Sequence, residues 1–103
     1  MLKRNPNPTF TTPVGISIAG QKAPTEITVE FKYLSKSQAR AFYDGLGGKD
    51  DATALGEIIV NIEGYEVPFA QGGLADLLEA YPAAATDLYE AFRRELLEAK
   101  RKN

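Results

Sequence analysis

No cysteine and no histidine occur anywhere in the 103 residues. The first absence excludes disulfides, thiolate zinc sites, iron–sulfur clusters and cysteine nucleophiles, and it permits a reducing compartment. The second removes the usual general base near neutral pH and the commonest transition-metal ligand; together they remove both familiar nucleophile dyads. Positive charge is not in excess either. Twelve Lys and Arg stand against fourteen Asp and Glu, a formal charge of −2, and the pI is near 5.1. Such a chain has no overall attraction to phosphate backbones or anionic lipid, which argues against a nucleic-acid or membrane partner. Long apolar runs are missing too. Met1-Leu2-Lys3-Arg4-Asn5-Pro6 carries cations with no apolar stretch behind it, and no later run approaches bilayer length, so a soluble, unsecreted protein is expected.

What is present fits one ordinary domain. Apolar residues make up 44% and charged residues 25%, near the averages of soluble globular proteins, and a chain of this length can bury a sizeable core. The expected organisation is a flexible N-terminal arm over 1–13, an α+β domain over 14–99 and a basic C-terminal tail over 100–103. Pro6, Pro8 and Pro13 among Asn and Thr block helix in the arm, whose notable apolar residue is Phe10.

From Val14 the pattern alternates, with Val14, Ile16 and Ile18 on one face, until Gly20-Gln21-Lys22-Ala23-Pro24 interrupts it. A second alternation places Ile27, Val29, Phe31 and Tyr33 opposite Glu26, Thr28, Glu30 and Lys32, as a strand buried on one side requires. The two strands predict a β-hairpin. Ser35-Lys36-Ser37-Gln38 fits a capping box, and Ala39, Phe42, Tyr43 and Leu46 follow at helical spacing until Gly45, Gly47 and Gly48 end the helix.

Asp50 or Asp51 caps a second predicted helix with the stripe Leu55, Ile58, Ile59 and Ile62, although Ile58-Ile59-Val60 is β-branched enough for a strand. Tyr65-Glu66-Val67-Pro68-Phe69 reads as an extended connection. Gly72-Gly73 opens a short helix over Leu74 to about Tyr81, and Pro82 starts a last helix running to about Lys100. Its stripe is Ala85, Leu88, Tyr89, Phe92, Leu96 and Leu97. The predicted fold is α+β, an N-terminal β-hairpin followed by about four α-helices packed on one face, in the order ββαααα.

Each candidate for chemistry has a plainer explanation. Gly45-Leu46-Gly47-Gly48-Lys49-Asp50 superficially suggests a phosphate-cradling loop, but it lacks a preceding strand, the glycine spacing and the Ser or Thr after the lysine. Asp50, Asp51, Glu57, Glu63 and Glu66 lack EF-hand spacing and read as caps and solvated charge. Ser17, Ser35 and Ser37 have no histidine partner and no elbow motif. Lys100-Arg101-Lys102 reads as a solvated end that complements a helix dipole. No catalytic residue, metal ligand or cofactor site is assigned, and the chain reads as a binding protein rather than an enzyme.

Two surfaces point to binding. The hairpin leaves unpaired backbone edges that invite another strand, which makes homo-oligomerisation an expectation. The last helix carries a broad stripe that either closes the core or receives a partner helix. The candidate partner-binding residues are Phe10, Val14, Ile16 and Ile18 on the arm and first strand, with Tyr89, Phe92, Arg93, Leu96 and Leu97 on the last helix.

The order hairpin, capped helix, then Pro68-Phe69-Ala70-Gln71-Gly72-Gly73-Leu74-Ala75-Asp76-Leu77-Leu78-Glu79-Ala80-Tyr81-Pro82-Ala83-Ala84-Ala85 and a Tyr-Glu-Ala helix resembles the tail assembly chaperones of long-tailed bacteriophages. The likeness covers about residues 9–99. It includes the opening Thr9-Phe10-Thr11-Thr12-Pro13-Val14 and the strand end Phe31-Lys32-Tyr33; where the family often has Trp-x-Gly, this chain has Ile62-Glu63-Gly64 followed by Tyr65.

The resemblance implies a protein of the host bacterial cytoplasm that holds the tape measure protein soluble while major tail (tube) protein is recruited, and that is absent from the mature virion. It also implies a frameshifted longer form, and Lys102-Asn103 is compatible with a slippery A-AAA-AAC. The competing reading is a head–tail connector or other structural adaptor retained in the particle. A small DNA-binding domain is disfavoured by the acidic charge.

Overall fold

The computed structural model describes residues 1–98. In chain order it has β1 (Thr9–Ile16), β2 (Thr25–Lys32), α1 (Lys36–Asp44), α2 (Asp51–Gly56), β3 (Ile59–Glu63), a 3-10 turn (Phe69–Gln71), α3 (Gly73–Ala80) and α4 (Ala84–Leu97). The strands form one antiparallel sheet in the order β1-β2-β3. The α+β class, the N-terminal hairpin and the four helices are as expected, and the order ββαααα holds approximately, with a third strand intervening between α2 and α3.

That strand comes from the segment predicted as the second half of a helix. Asp50 caps α2, its carboxylate accepting from the Thr53 N–H at 2.8 Å, and Gly56 is the last helical residue. Ile59–Glu63 then adds to the free edge of β2, pairing Phe31 with Ile59 and Val29 with Ile62, with a register shift between Glu30 and Phe31. The irregularity inserts an extra residue, Val60, so Ile59 and Ile62 share the core face although they are three apart. A bulged strand thereby reproduces an i, i+3 spacing. With β2 enclosed on both sides, the open edges belong to β1 and β3.

The first strand is longer than its alternation predicts. Residues 9–13, expected as arm, are strand, and Phe10 pairs with Phe31. The Tyr33 N–H donates to the Pro8 carbonyl at 2.8 Å. Counting along the ladder from that pair places Pro13 at a non-hydrogen-bonded position, where a missing N–H costs the sheet nothing.

One face of the sheet is the core. Val14, Ile16, Ile27, Val29, Phe31, Ile59 and Ile62 are buried there with Leu55, Leu74, Leu77, Leu88 and Phe92 from the helices. Phe92 is the aromatic hub, with ring centroids 5.3 Å from Phe31, 5.9 Å from Phe42 and 6.1 Å from Phe10. Burying each such side chain contributes about 1.5–3 kcal/mol, so the stack spans β1, β2, α1 and α4 where the gain is largest.

Capping and polar ties set the helix positions. Both halves of the Ser35–Gln38 capping box form. At the start of α4 the Asp87 carboxylate accepts from the Ser17 N–H at 2.7 Å, joining residues 70 apart in sequence. The predicted last helix reached about Lys100; α4 ends at Leu97, and the expected tail 100–103 lies outside the described residues.

Candidate partner-binding surface

The candidate residues separate into three places. Val14, Ile16 and Phe92 lie inside the core at 3% exposure or less. Phe10 and Ile18 are half-buried: Phe10 stacks on Phe31 at 5.5 Å, and Ile18 helps line a small cavity of about 100 Å³ with Ile16, Ile27, Tyr65, Leu77 and Tyr81. Tyr89, Arg93, Leu96 and Leu97 reach the surface of α4, Tyr89 and Leu96 half-buried and Arg93 exposed, Leu97 at 52%.

The last four are neighbours around the helix. At about 100° per residue, Leu96, Tyr89, Arg93 and Leu97 succeed one another from the core-facing side of Phe92 towards solvent. They form a flank that passes from apolar to cationic and ends on an exposed leucine. The Tyr89 hydroxyl reaches Asp51 at the start of α2 at 3.4 Å, so this flank is the side of α4 turned towards α2. Burial, followed by the carboxylate of Asp51, raises the pKa of the Tyr89 hydroxyl and keeps it a donor. Arg93 pairs with Glu98.

Tyr43 at the end of α1 stands near this flank. Its ring meets Phe42 edge-on at 5.2 Å, and its buried hydroxyl has no hydrogen-bond partner among the described residues. Burial raises its pKa while the nearby Arg93 cation pulls the other way. A buried hydroxyl without a partner costs about 1–3 kcal/mol. Leu46, half-buried just beyond α1, packs against the same core. The helical spacing of Tyr43 and Leu46 reveals their shared stripe, but spacing alone gives no sign that the hydroxyl would be left unsatisfied.

Between β3 and α4 in the chain lies the segment with the most individual sequence. Gly72 has φ +85, a left-handed conformation that closes the 3-10 turn and opens α3. Gly73 is required for a different reason: a Cβ there would stand 2.4 Å from the Val67 carbonyl oxygen and 2.8 Å from that of Pro68. The two glycines let the turn after Pro68 fold tightly against α3. Tyr65 donates to Asp76 at 2.5 Å, a bond that pushes its pKa up to about 12. Its ring meets Tyr81 edge-on at 6.4 Å.

The arrangement offers apolar area and one guanidinium. Among the described residues no group of three or more Asp and Glu is placed to hold a metal ion, and no helix is long and apolar enough to cross a membrane. The family model for phage tail assembly chaperones matches residues 1–103, the whole chain, and the chain belongs to that family. Comparisons with curated proteins and with solved structures gave no match.

Proposed function

We propose that this phage tail assembly chaperone binds the tape measure protein through the α4 flank, keeps it soluble in the host bacterial cytoplasm and helps recruit the major tail (tube) protein around it. Family membership gives the role in tail assembly. The observation that carries the finer reading is the flank itself, where Tyr89, Leu96 and Leu97 surround Arg93 beside the buried Tyr43 hydroxyl. A long helical client presents apolar residues at i, i+3, i+4 and i+7, and such a stripe is recognised by laying it against an apolar groove. Arg93, exposed beside Glu98, adds a cation for a client carboxylate. Recognition of this kind requires surface and multiplicity, with no reaction.

Co-expression with the tape measure protein tests the reading. The expected result is tape measure protein in the soluble fraction only when this chain is present, and recovery of both on a tag carried by either. Equal precipitation with and without the chain would overturn it. Purified virions should lack the chain; a fixed copy number in the particle would instead identify a retained connector.

A further inference from the structure

The second face of the sheet carries no helix among the described residues and is polar. Glu26, Thr28, Glu30 and Lys32 of β2 point away from the core, alongside Thr11 and Pro13 of β1 and Asn61 and Glu63 of β3. Thr11, Thr28, Glu30, Asn61 and Glu63 line a shallow depression of about 200 Å³. The Glu30 carboxylate accepts from the Thr9 hydroxyl at 2.8 Å, which fixes its position without neutralising it. Three carboxylates on this face stand against the single ammonium of Lys32.

The segment preceding β1 has the opposite character. Residues 1–8 are exposed throughout, Leu2 at 98%, and they include Lys3 and Arg4 with no acidic residue. Pro6 and Pro8 deny the segment the donors that a ladder needs, so it is unsuited to strand addition. Asn5 and Asn7 each precede a proline and are biased to extended backbone, which opposes folding back onto the strand they lead into. A segment of eight residues reaches at most about 3.3–3.6 Å per residue, whereas three strands about 4.8 Å apart make a narrow face. The segment can cross the sheet of a neighbouring molecule.

We propose that the acidic outer face of the sheet is a docking surface for a second copy of this chain, whose Lys3 and Arg4 pair with Glu30 and Glu63. The association is electrostatic in origin and weakens as salt rises. It uses a different face from the α4 flank, so its failure leaves the tape measure reading standing, and the reverse.

Two charge reversals and their mixture decide the matter. In sedimentation velocity at low salt the wild-type chain should self-associate. Lys3→Glu with Arg4→Glu should raise the dissociation constant about tenfold, by placing an acidic segment on an acidic face. Glu30→Lys with Glu63→Lys should do the same by making both surfaces basic. Mixing the two variants should restore association, because the acidic segment of one then meets the basic face of the other. Every altered residue lies on the surface or at its margin, and the thermal midpoint of each variant, measured alongside, should match the wild type. A wild-type chain that remains monomeric, reversals without effect, or a mixture that fails to associate would overturn the proposal.

Discussion

Along α4 the first nine residues and the last five do different work, although one amphipathic stripe runs through both. From Ala84 to Phe92 the helix buries Ala84, Leu88, Ala91 and Phe92 at 0% exposure and is tied to the hairpin through Asp87 and Ser17. From Arg93 to Leu97 no residue is buried: Arg93, Arg94 and Glu95 are solvated, Leu96 is half-covered and Leu97 is 52% exposed. The first part lies over β1, whereas the second extends past the aromatic stack. Apolar spacing therefore marks what a helix can cover, while the length of the sheet beneath it decides how much is covered.

The widest separation between the halves should come from Phe92→Ala. Removing the hub ring leaves a cavity bordered by Phe10, Phe31 and Phe42, and the expected loss is about 3–5 kcal/mol, read from chemical denaturation. A loss below about 1 kcal/mol, the size of an ordinary substitution, would erase the distinction between the halves. Gly73→Ala probes the turn that opens α3 and involves neither half of α4. Its methyl would meet the Val67 and Pro68 carbonyl oxygens, which are backbone atoms and cannot move alone, so a loss of about 1–3 kcal/mol is expected from the displacement. The matching change at Gly47, where nothing lies within 4 Å, should leave the midpoint nearly unchanged.

Much of this division was hidden from the sequence for identifiable reasons. The capping box at Ser35, the Asp50 cap and the glycine pair opening α3 are local, and the structure has each where the residues place it. Residues 57–62 read both ways in the sequence, because the extra residue Val60 gives a β-branched strand the spacing of a helix turn. Residues 9–13 are strand although prolines argue against strand in general, because Pro13 occupies an edge position that needs no donor. Within the candidate surface, alternation identifies Val14 and Ile16 as apolar but cannot say whether a helix of the same chain covers them, and α4 does. Leu97 stands out only once the end of the core is known.

A smaller effect should appear at alkaline pH on the boundary between the halves. The Tyr89 pKa is raised by burial and then by Asp51, so the folded state holds this proton more tightly than the unfolded chain. The associated stability is fully present below the ordinary tyrosine value near 10 and is lost as pH rises through the higher folded value. Tyr43, raised by burial, adds to the same slope. Denaturation midpoints from pH 8 to 11 should therefore fall less steeply in Tyr89→Phe than in the wild type. Identical slopes would place Tyr89 in water and detach the flank from α2.

Leu97→Ser should have the least effect on folding and the clearest effect on function. The side chain is half in solvent and lies outside the core cluster, so stability should change by no more than about 0.5 kcal/mol. If the flank receives the tape measure helix, the same change removes an apolar contact and replaces it with a hydroxyl that prefers water. Tape measure protein should then shift towards the insoluble fraction on co-expression, and Leu97→Met, which keeps apolar volume, should restore it. A midpoint drop approaching that of Phe92→Ala would make Leu97 a core residue. Unchanged solubilisation with a normal midpoint would move the client to another face of the molecule. The two measurements together separate a helix end that supports the fold from one left free to bind, a distinction that exposure alone cannot draw because solvated leucines are common on protein surfaces.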